Sequence, residues 1–370
     1  MDKRFLNTTP TIQGQAVTKA QKGIRLIRSI LIIFLFTLCG CRAEPVSTPT
    51  QTETVAPTIT FTTTNTEFPT QTSIVLPTLT PEPAWYQALD PSYGVLKYKY
   101  ALVSNQKARV YASMQDAVAN TGNYGYLPNY PAYVAYTTGK KDGDHSFYLT
   151  NYGWMKGEDL QDLTPSTFTG IKIVREVTFR FGWVLAETQS VNADGVPIQT
   201  YSRYQIVHEV PATGEKAGFI AIGADEWLPE DSVALVNPQV PAEAGPNTCR
   251  FIYVNLNTQT LSVYNSCKLI FATLISSGKN SWTFEGRFAI LYKVDYSSIT
   301  PPAGSTSDYY IEGVPYFMTY SGNFGFHGAY WHDAFGSPAS HGCINLSPAD
   351  AHWLYEWAGL GERVIISAGK

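Results

Sequence analysis

Over residues 250–264 apolar and polar positions alternate on either side of a turn at 256–259, the period-two pattern of two half-buried strands joined as a hairpin. If Asn255 pairs with Thr260, the same register sets Cys249 nearly opposite Cys267, and in an oxidising compartment the two can close a disulfide. A one-residue slip would turn one of the side chains to the other face. Further strand-like runs come earlier, at 98–103, 108–112, 132–136, 171–177, 201–210 and 218–222, with turn residues between them. Trp154-Met155-Lys156-Gly157-Glu158-Asp159 and Trp227-Leu228-Pro229-Glu230-Asp231 close the two halves of this region. They suggest a weakly duplicated small β module, one copy at 83–165 and one at 166–240. Near the C-terminus, 347–354 reads as a helix with Ser347 as cap, Pro348 in the first turn and His352 on its surface.

The first part of the chain follows another pattern. Lys22, Arg25 and Arg28 precede an apolar run at 30–38, too short to span a bilayer comfortably and matching the hydrophobic region of a secretory signal. Export is the expectation. Residues 42–82 are dominated by Thr and Pro without periodicity; they cannot bury enough apolar surface to offset their ordering entropy and read as a tether with a reach on the order of 100 Å. A Pro/Ala/Gly-rich segment at 238–246 marks another boundary and leaves 247–370 as the last domain.

Composition sharpens this picture in two ways. With 24 Tyr, 18 Phe and 8 Trp, 29 Gly and 23 Pro and few charges, the folded part is expected to be mainly β. A formal net charge of -4 and a pI near 5.9 carry no basic excess, so nucleic acid is not an expected partner.

The reactive side chains concentrate near the end. Phe326-His327-Gly328 is followed by Ser340-His341-Gly342-Cys343-Ile344-Asn345-Leu346, which puts one cysteine close in sequence to two histidines. Thiolate, not thiol, attacks a carbonyl, and an imidazole is the usual acceptor of the thiol proton. Cys343 is the expected nucleophile, since pairing Cys249 with Cys267 leaves it without a partner among the three cysteines that follow the tether of an exported chain. A structural cysteine is the plain alternative, but Ser-His-Gly beside it has no packing rationale as a set. Ser340 and Gly342 are small enough to let backbone approach a substrate, and the N–H groups of His341, Gly342 and Cys343 can face a developing oxyanion. His327 and His341 are both candidate bases, although adjacent side chains on an extended segment point apart, which separates His341 from the thiol. Zinc is not expected, because neither Cys-x-x-Cys nor His-Glu-x-x-His spacing is present. No cofactor is expected either.

The run from His327 to Trp357 resembles the catalytic motif of the YkuD-type L,D-transpeptidases, in which HG is followed about a dozen residues later by SHGC, an aliphatic residue, Arg or Asn, and another aliphatic. The resemblance extends over nearly all of 247–370. It implies a YkuD-type β-sandwich, His327 as proton donor and acceptor, and loop or oxyanion support from Ser340, His341 and Gly342. Tyr309, with Tyr310 as its rival, Tyr330 and Asn345 are expected to meet the substrate. Thr283-Phe284-Glu285-Gly286-Arg287-Phe288 stands where the family has Thr-Pro-x-Gly-x-Phe, with the proline lost. The implied activity is peptidoglycan cross-linking through a cysteine thioester, acting on stem peptides and as a monomer. An L,D-carboxypeptidase and a non-catalytic wall-binding lipoprotein are the rival readings. The modules at 83–165 and 166–240 resemble bacterial SH3-type domains. Leu38-Cys39-Gly40-Cys41 resembles a lipobox, which implies a signal peptide at 1–41, a lipid on Cys41, and a place in the cell envelope facing the wall. Ordinary signal cleavage and an uncleaved anchor remain alternatives.

Overall fold

The hairpin adopts the register its alternation requires: Phe251–Asn255 pairs antiparallel with Thr260–Asn265, with Asn255 opposite Thr260. The structure is a computed structural model and describes residues 84–94, 96–122, 124–211, 214–301 and 308–369. The signal at 1–41 with its Cys41, and the tether at 42–82, lie outside the described residues. Cys249 and Cys267 form a disulfide at the open end of the hairpin, and the Cys267 N–H donates to the Cys249 carbonyl at 2.9 Å.

The fold is mainly β, and two sheets frame the C-terminal domain. In the first, the strands run in the order Tyr86–Ala88, Ile171–Ile173, Lys268–Leu274, Thr260–Asn265, Phe251–Asn255, Arg363–Ser367 and Gly286–Ala289. In the second the order is Ile344–Leu346, Phe324–Gly328, Tyr310–Ser321, Ala132–Tyr136, Lys99–Val103 and Leu160–Leu163, with Tyr292–Ile299 also paired to Tyr310–Ser321. Ile252, Val254, Leu261 and Val263 from the first sheet meet Met318, Phe326, Ile344 and Leu346 from the second in one buried cluster. Fully burying each such aliphatic side chain stabilises the fold by roughly 1.5–3 kcal/mol. The helix Pro348–Trp357 closes this core with Ala351 and Leu354. Its cap is the one expected: Ser347 Oγ accepts from the Asp350 N–H.

Both N-terminal modules lend strands to the C-terminal sheets, which corrects the boundaries at 83–165 and 166–240. Of the run 171–177 only Ile171–Ile173 is a strand, and it pairs with Lys268–Leu274, not with a neighbour in its own module. Ile171 is fully buried beside Phe181 and Phe251, so burial of that side chain rewards the edge position. Tyr86–Ala88 adds outside it. The run 201–210 is also interrupted, into Pro197–Tyr201 and Ile206–His208, by a turn in which Tyr204 takes φ +68°.

What remains of each module forms small sheets. The first has the order Tyr124–Tyr126, Arg109–Tyr111, Trp154–Lys156, His145–Leu149 and Thr138–Asp142. The second has Ile206–His208, Phe181–Val184 and Val233–Val236 in one sheet, and Pro197–Tyr201, Thr188–Val191, Glu226–Pro229 and Phe219–Gly223 in another. The repeated Trp segments have matching local structure. Trp154–Lys156 leads through a 3-10 turn into Leu160–Leu163, and Glu226–Pro229 leads through another into Val233–Val236.

Candidate active site

Two parallel strands bring the motif together. Phe324–Gly328 lies beside Ile344–Leu346 with Phe326 opposite Ile344 and His327 opposite Asn345. Paired residues share a sheet face, and so does the residue two positions away, so Cys343 lies on the face of Asn345 and diagonally across from His327. The thiol also packs against the aromatic cluster containing Phe317, whose ring stacks parallel to the His327 imidazole at 5.3 Å.

The His327 ring is buried and tied by Nδ1 to the Gly328 carbonyl at 3.2 Å. A neutral ring that donates from Nδ1 keeps a lone pair on Nε2. Burial moves its pKa down to about 4, so at neutral pH it is an unprotonated base. Burial acts the other way on Cys343, pushing its thiol up to about 11 against the opposing pull of the Gly325 N–H. The resting pair is therefore neutral thiol and neutral imidazole. The half-buried Sγ lies 3.8 Å from the Asn323 carbonyl, and no hydrogen bond joins it to His327 among the described residues. Such bonds commonly form only once substrate is bound.

The loop before Cys343 is held from both sides. Ser340 Oγ donates to the Cys343 carbonyl at 2.5 Å and accepts from the Gly342 N–H at 2.9 Å. Thr283 Oγ1 donates to the Gly342 carbonyl at 2.8 Å and accepts from the Gly278 N–H at 2.8 Å. Gly342 sits at φ +125°, where a Cβ would come within 2.3 Å of the Phe324 ring, so a side chain is excluded on both counts. The Gly342 N–H is thus already engaged, which corrects its expected part as an oxyanion donor; the His341 and Cys343 amides remain for that role.

His341 is exposed, its ring stacked between Trp282 at 5.3 Å and Tyr309 at 4.6 Å. Burial between those rings, and Lys279 nearby, lower its pKa. Tyr309 is the tyrosine at the site: burial first and the neighbouring Cys343 second raise its pKa. Tyr310 instead faces Tyr152 from the buried part of its strand.

Three expected placements are corrected. Tyr330 is 1 % exposed, stacks on Tyr100 and donates to the Glu312 carbonyl at 2.6 Å, so it fills the core and cannot meet a substrate. Asn345 is buried as well, with its amide 2.9 Å from His332 Nε2. His352 is not a surface residue, since its ring is packed between Tyr93 and Tyr316 and its Nε2 lies 3.1 Å from Glu356.

Two residues, Thr283 and His332, have partners at the site that the sequence did not show. Thr283 was visible only as part of a turn motif, because its partner Gly342 is remote in the chain. His332 accepts the Ala334 N–H at Nδ1, 3.1 Å, so its neutral ring carries the proton on Nε2. That contact is satisfied when the Asn345 amide presents its oxygen to the ring. The other amide atom is then buried with no partner among the described residues. Among those residues no group of three or more His, Cys, Asp or Glu side chains is placed to hold a metal ion.

Residues 250–366 match the family model of the YkuD L,D-transpeptidase catalytic domain. Among solved structures, the chain is similar to an Enterococcus faecium L,D-transpeptidase carrying a cysteine-to-serine substitution, with 26% identity over 32% of this chain and 49% of that one and a TM-score of 0.30. This chain thus spans about half the length of that enzyme. The catalytic domain of the E. faecium enzyme alone aligns at 26% identity over 32% of this chain and 96% of its own, TM-score 0.30. A Mycobacterium smegmatis L,D-transpeptidase aligns at 18% identity over 54% and 90% respectively, TM-score 0.30. No curated protein sequence matches the chain.

Proposed function

We propose that the YkuD-type domain makes this chain a peptidoglycan L,D-transpeptidase, with Cys343 as nucleophile and His327 as its base. The observation that carries the reading is the pairing of a buried imidazole, tethered at Nδ1 to Gly328, with a lone thiol diagonal to it on the same sheet face. In the first half-reaction Nε2 of His327 takes the thiol proton as sulfur adds to the carbonyl of a donor stem peptide. The amides of His341 and Cys343 receive the developing oxyanion. Collapse breaks the C–N bond to the terminal D-alanine, whose amine takes the proton back from His327, and leaves a thioester. In the second half-reaction an acceptor-stem amine attacks that thioester, His327 removes its proton, and the thiol is regenerated.

Starting from neutral partners suits this sequence. The base is not consumed as imidazolium before substrate arrives, and the thiol loses its proton only as the new bond forms. The small β modules are read as SH3-like wall-binding or spacing units. Lipidation of Cys41 with the 42–82 tether would put the domain at a distance from the outer membrane face, working on the wall.

Incubating the purified chain with disaccharide tetrapeptides and reading products by mass spectrometry tests the activity. Cross-linked dimer is expected. Tripeptide alone would mean that water replaces the amine, the L,D-carboxypeptidase reaction, and unreacted substrate would favour a wall-binding lipoprotein. Palmitate labelling that disappears in Cys41→Ser is expected if Cys41 is the anchor, whereas unlabelled secreted protein would rule the anchor out.

A further inference from the structure

The segment between the two halves of the motif is held from outside the catalytic domain. Asp333, one residue after His332, receives Arg203 Nη1 on Oδ2 at 3.1 Å, while Arg203 Nη2 reaches the Asp333 carbonyl. Tyr204 OH donates to the same carbonyl at 2.9 Å and lies 3.2 Å from Oδ1, to which Ser166 Oγ also donates. The Arg203 guanidinium stacks over the Tyr204 ring at 4.2 Å, so the pair is braced against itself. Phe168 continues the contact inward, 4.5 Å from Tyr204 and 5.8 Å from Phe335, whose ring in turn lies 5.2 Å from His332.

A second observation sets this apart from an ordinary surface ion pair, which would be worth about 0–1 kcal/mol. Tyr204 sits at φ +68°, a conformation bulky side chains rarely adopt, and such strain persists only where surrounding contacts over-determine it. Its N–H donates to the Val184 carbonyl at 2.7 Å, its ring packs on Phe168, and its hydroxyl is held by Asp333. From there the path is short, because the Ala334 N–H fixes His332 and His332 meets Asn345, the register partner of His327.

We propose that Arg203 and Tyr204 of the second small β unit are positioning residues for the thiol site, holding Asp333 so that the His332–Asn345 pair sets the strands that carry His327 and Cys343. The second unit is then part of the catalytic apparatus as well as a spacer. Its role rests on the Cys343–His327 pairing proposed above, and not on which stem peptide is used.

Alkylation of Cys343 by iodoacetamide in the otherwise intact chain reads this directly, because its rate depends on the thiol and its base alone. Arg203→Ala is expected to slow alkylation at pH 7 by about tenfold, in line with the sensitivity of proton transfer to small displacements, and Tyr204→Phe by about threefold. The deficit should shrink as pH rises towards the thiol pKa, where a base is no longer needed. Arg180→Ala, which breaks a comparable ion pair with Glu209 in the same unit, should leave the rate unchanged. Arg203→Lys should stay near the alanine value, since an ammonium lacks the planar fork that reaches carboxylate and carbonyl together.

Tyr204→Phe removes only a hydroxyl, so it separates positioning from misfolding, and melting temperatures of all variants check that they are folded. Unchanged rates in both Arg203→Ala and Tyr204→Phe, full rescue by Lys, or an equal loss in Arg180→Ala would each overturn the proposal. A wild-type chain that alkylates readily through His327 but leaves stem peptides untouched would sink the transpeptidase reading and leave this one standing.

Discussion

The loop that ends in Cys343 has two faces built on opposite principles. Its inner face sets Cys343 beside buried His327 and Asn345, where burial holds both the thiol and the imidazole in their neutral forms. Its outer face carries exposed His341 in a stack with Tyr309 and Trp282, the last of them 42% exposed. One histidine is fixed by a backbone carbonyl and the other by flat rings. Fixed orientation and a known tautomer suit proton transfer, whereas an open aromatic surface suits contact with a ligand. The difference teaches that two histidines of one thiol motif can be held in environments suited to different tasks.

The comparison breaks most sharply at the nucleophile itself. Cys343→Ala should abolish acyl-enzyme formation with a carbapenem while the domain keeps its melting temperature; an adduct seen by intact-mass spectrometry in the variant would remove the inner face from the chemistry.

Next come the two histidines. His327→Ala should reduce acylation at neutral pH by about 10²- to 10⁴-fold, the usual worth of a general base, whereas His341→Ala should cost only a few-fold. Their pH profiles sharpen the contrast. Because His327 has its pKa lowered to about 4, the wild-type rate should climb as pH rises through that value and then hold level. In His327→Ala the rate must follow thiolate, and since the thiol is pushed up to about 11 it should still be rising at pH 9 or 10, recovering part of the loss. Finding that rescue in His341→Ala and not in His327→Ala would exchange the two roles.

A smaller effect tests the brace between the faces. Thr283→Val keeps the shape but leaves the Gly342 carbonyl and the Gly278 N–H without their shared hydroxyl. Leaving such buried groups unsatisfied should cost about 1–3 kcal/mol of stability by urea denaturation. A neutral result would mean that the loop holds its shape without that hydroxyl.

How much of this was legible beforehand depends on distance along the chain. The 250–264 hairpin, its register and the cap at Ser347 depend on neighbours, and alternation or a single polar residue reports them. The contacts of Cys343 with the Phe317 cluster also follow once the His327 strand lies parallel to the one after Cys343. What sequence could not report was assembly across long separations. Ile171–Ile173 looks like any short strand, and only the free edge of Lys268–Leu274 decides that it leaves its module. Tyr330 and Asn345 stand near reactive residues in sequence, yet Tyr330, just past the end of its strand, is buried against Tyr100, and Asn345 is covered by His332. The reach of Asp333 to Arg203 has no local signature at all.

The mildest prediction concerns the outer face alone. Trp282→Ala removes one ring from the stack on His341 and leaves Tyr309 on the other side, so the imidazole loses support worth about 0.5–1.5 kcal/mol without losing its position entirely. If that face serves as a contact surface for the donor, the concentration of stem peptide giving half-maximal acylation should rise a few-fold, because ring area available to the ligand has shrunk. The maximal rate should hardly change, since His327 and Cys343 lie on the other face and Trp282 stacks on His341 and not on His327. Single-turnover acylation measured over a range of donor concentrations separates the two quantities. A tenfold fall in the maximal rate at unchanged half-saturation would mean that the aromatic stack shapes the nucleophile loop from outside, and the division between a chemical face and a binding face would have to be abandoned.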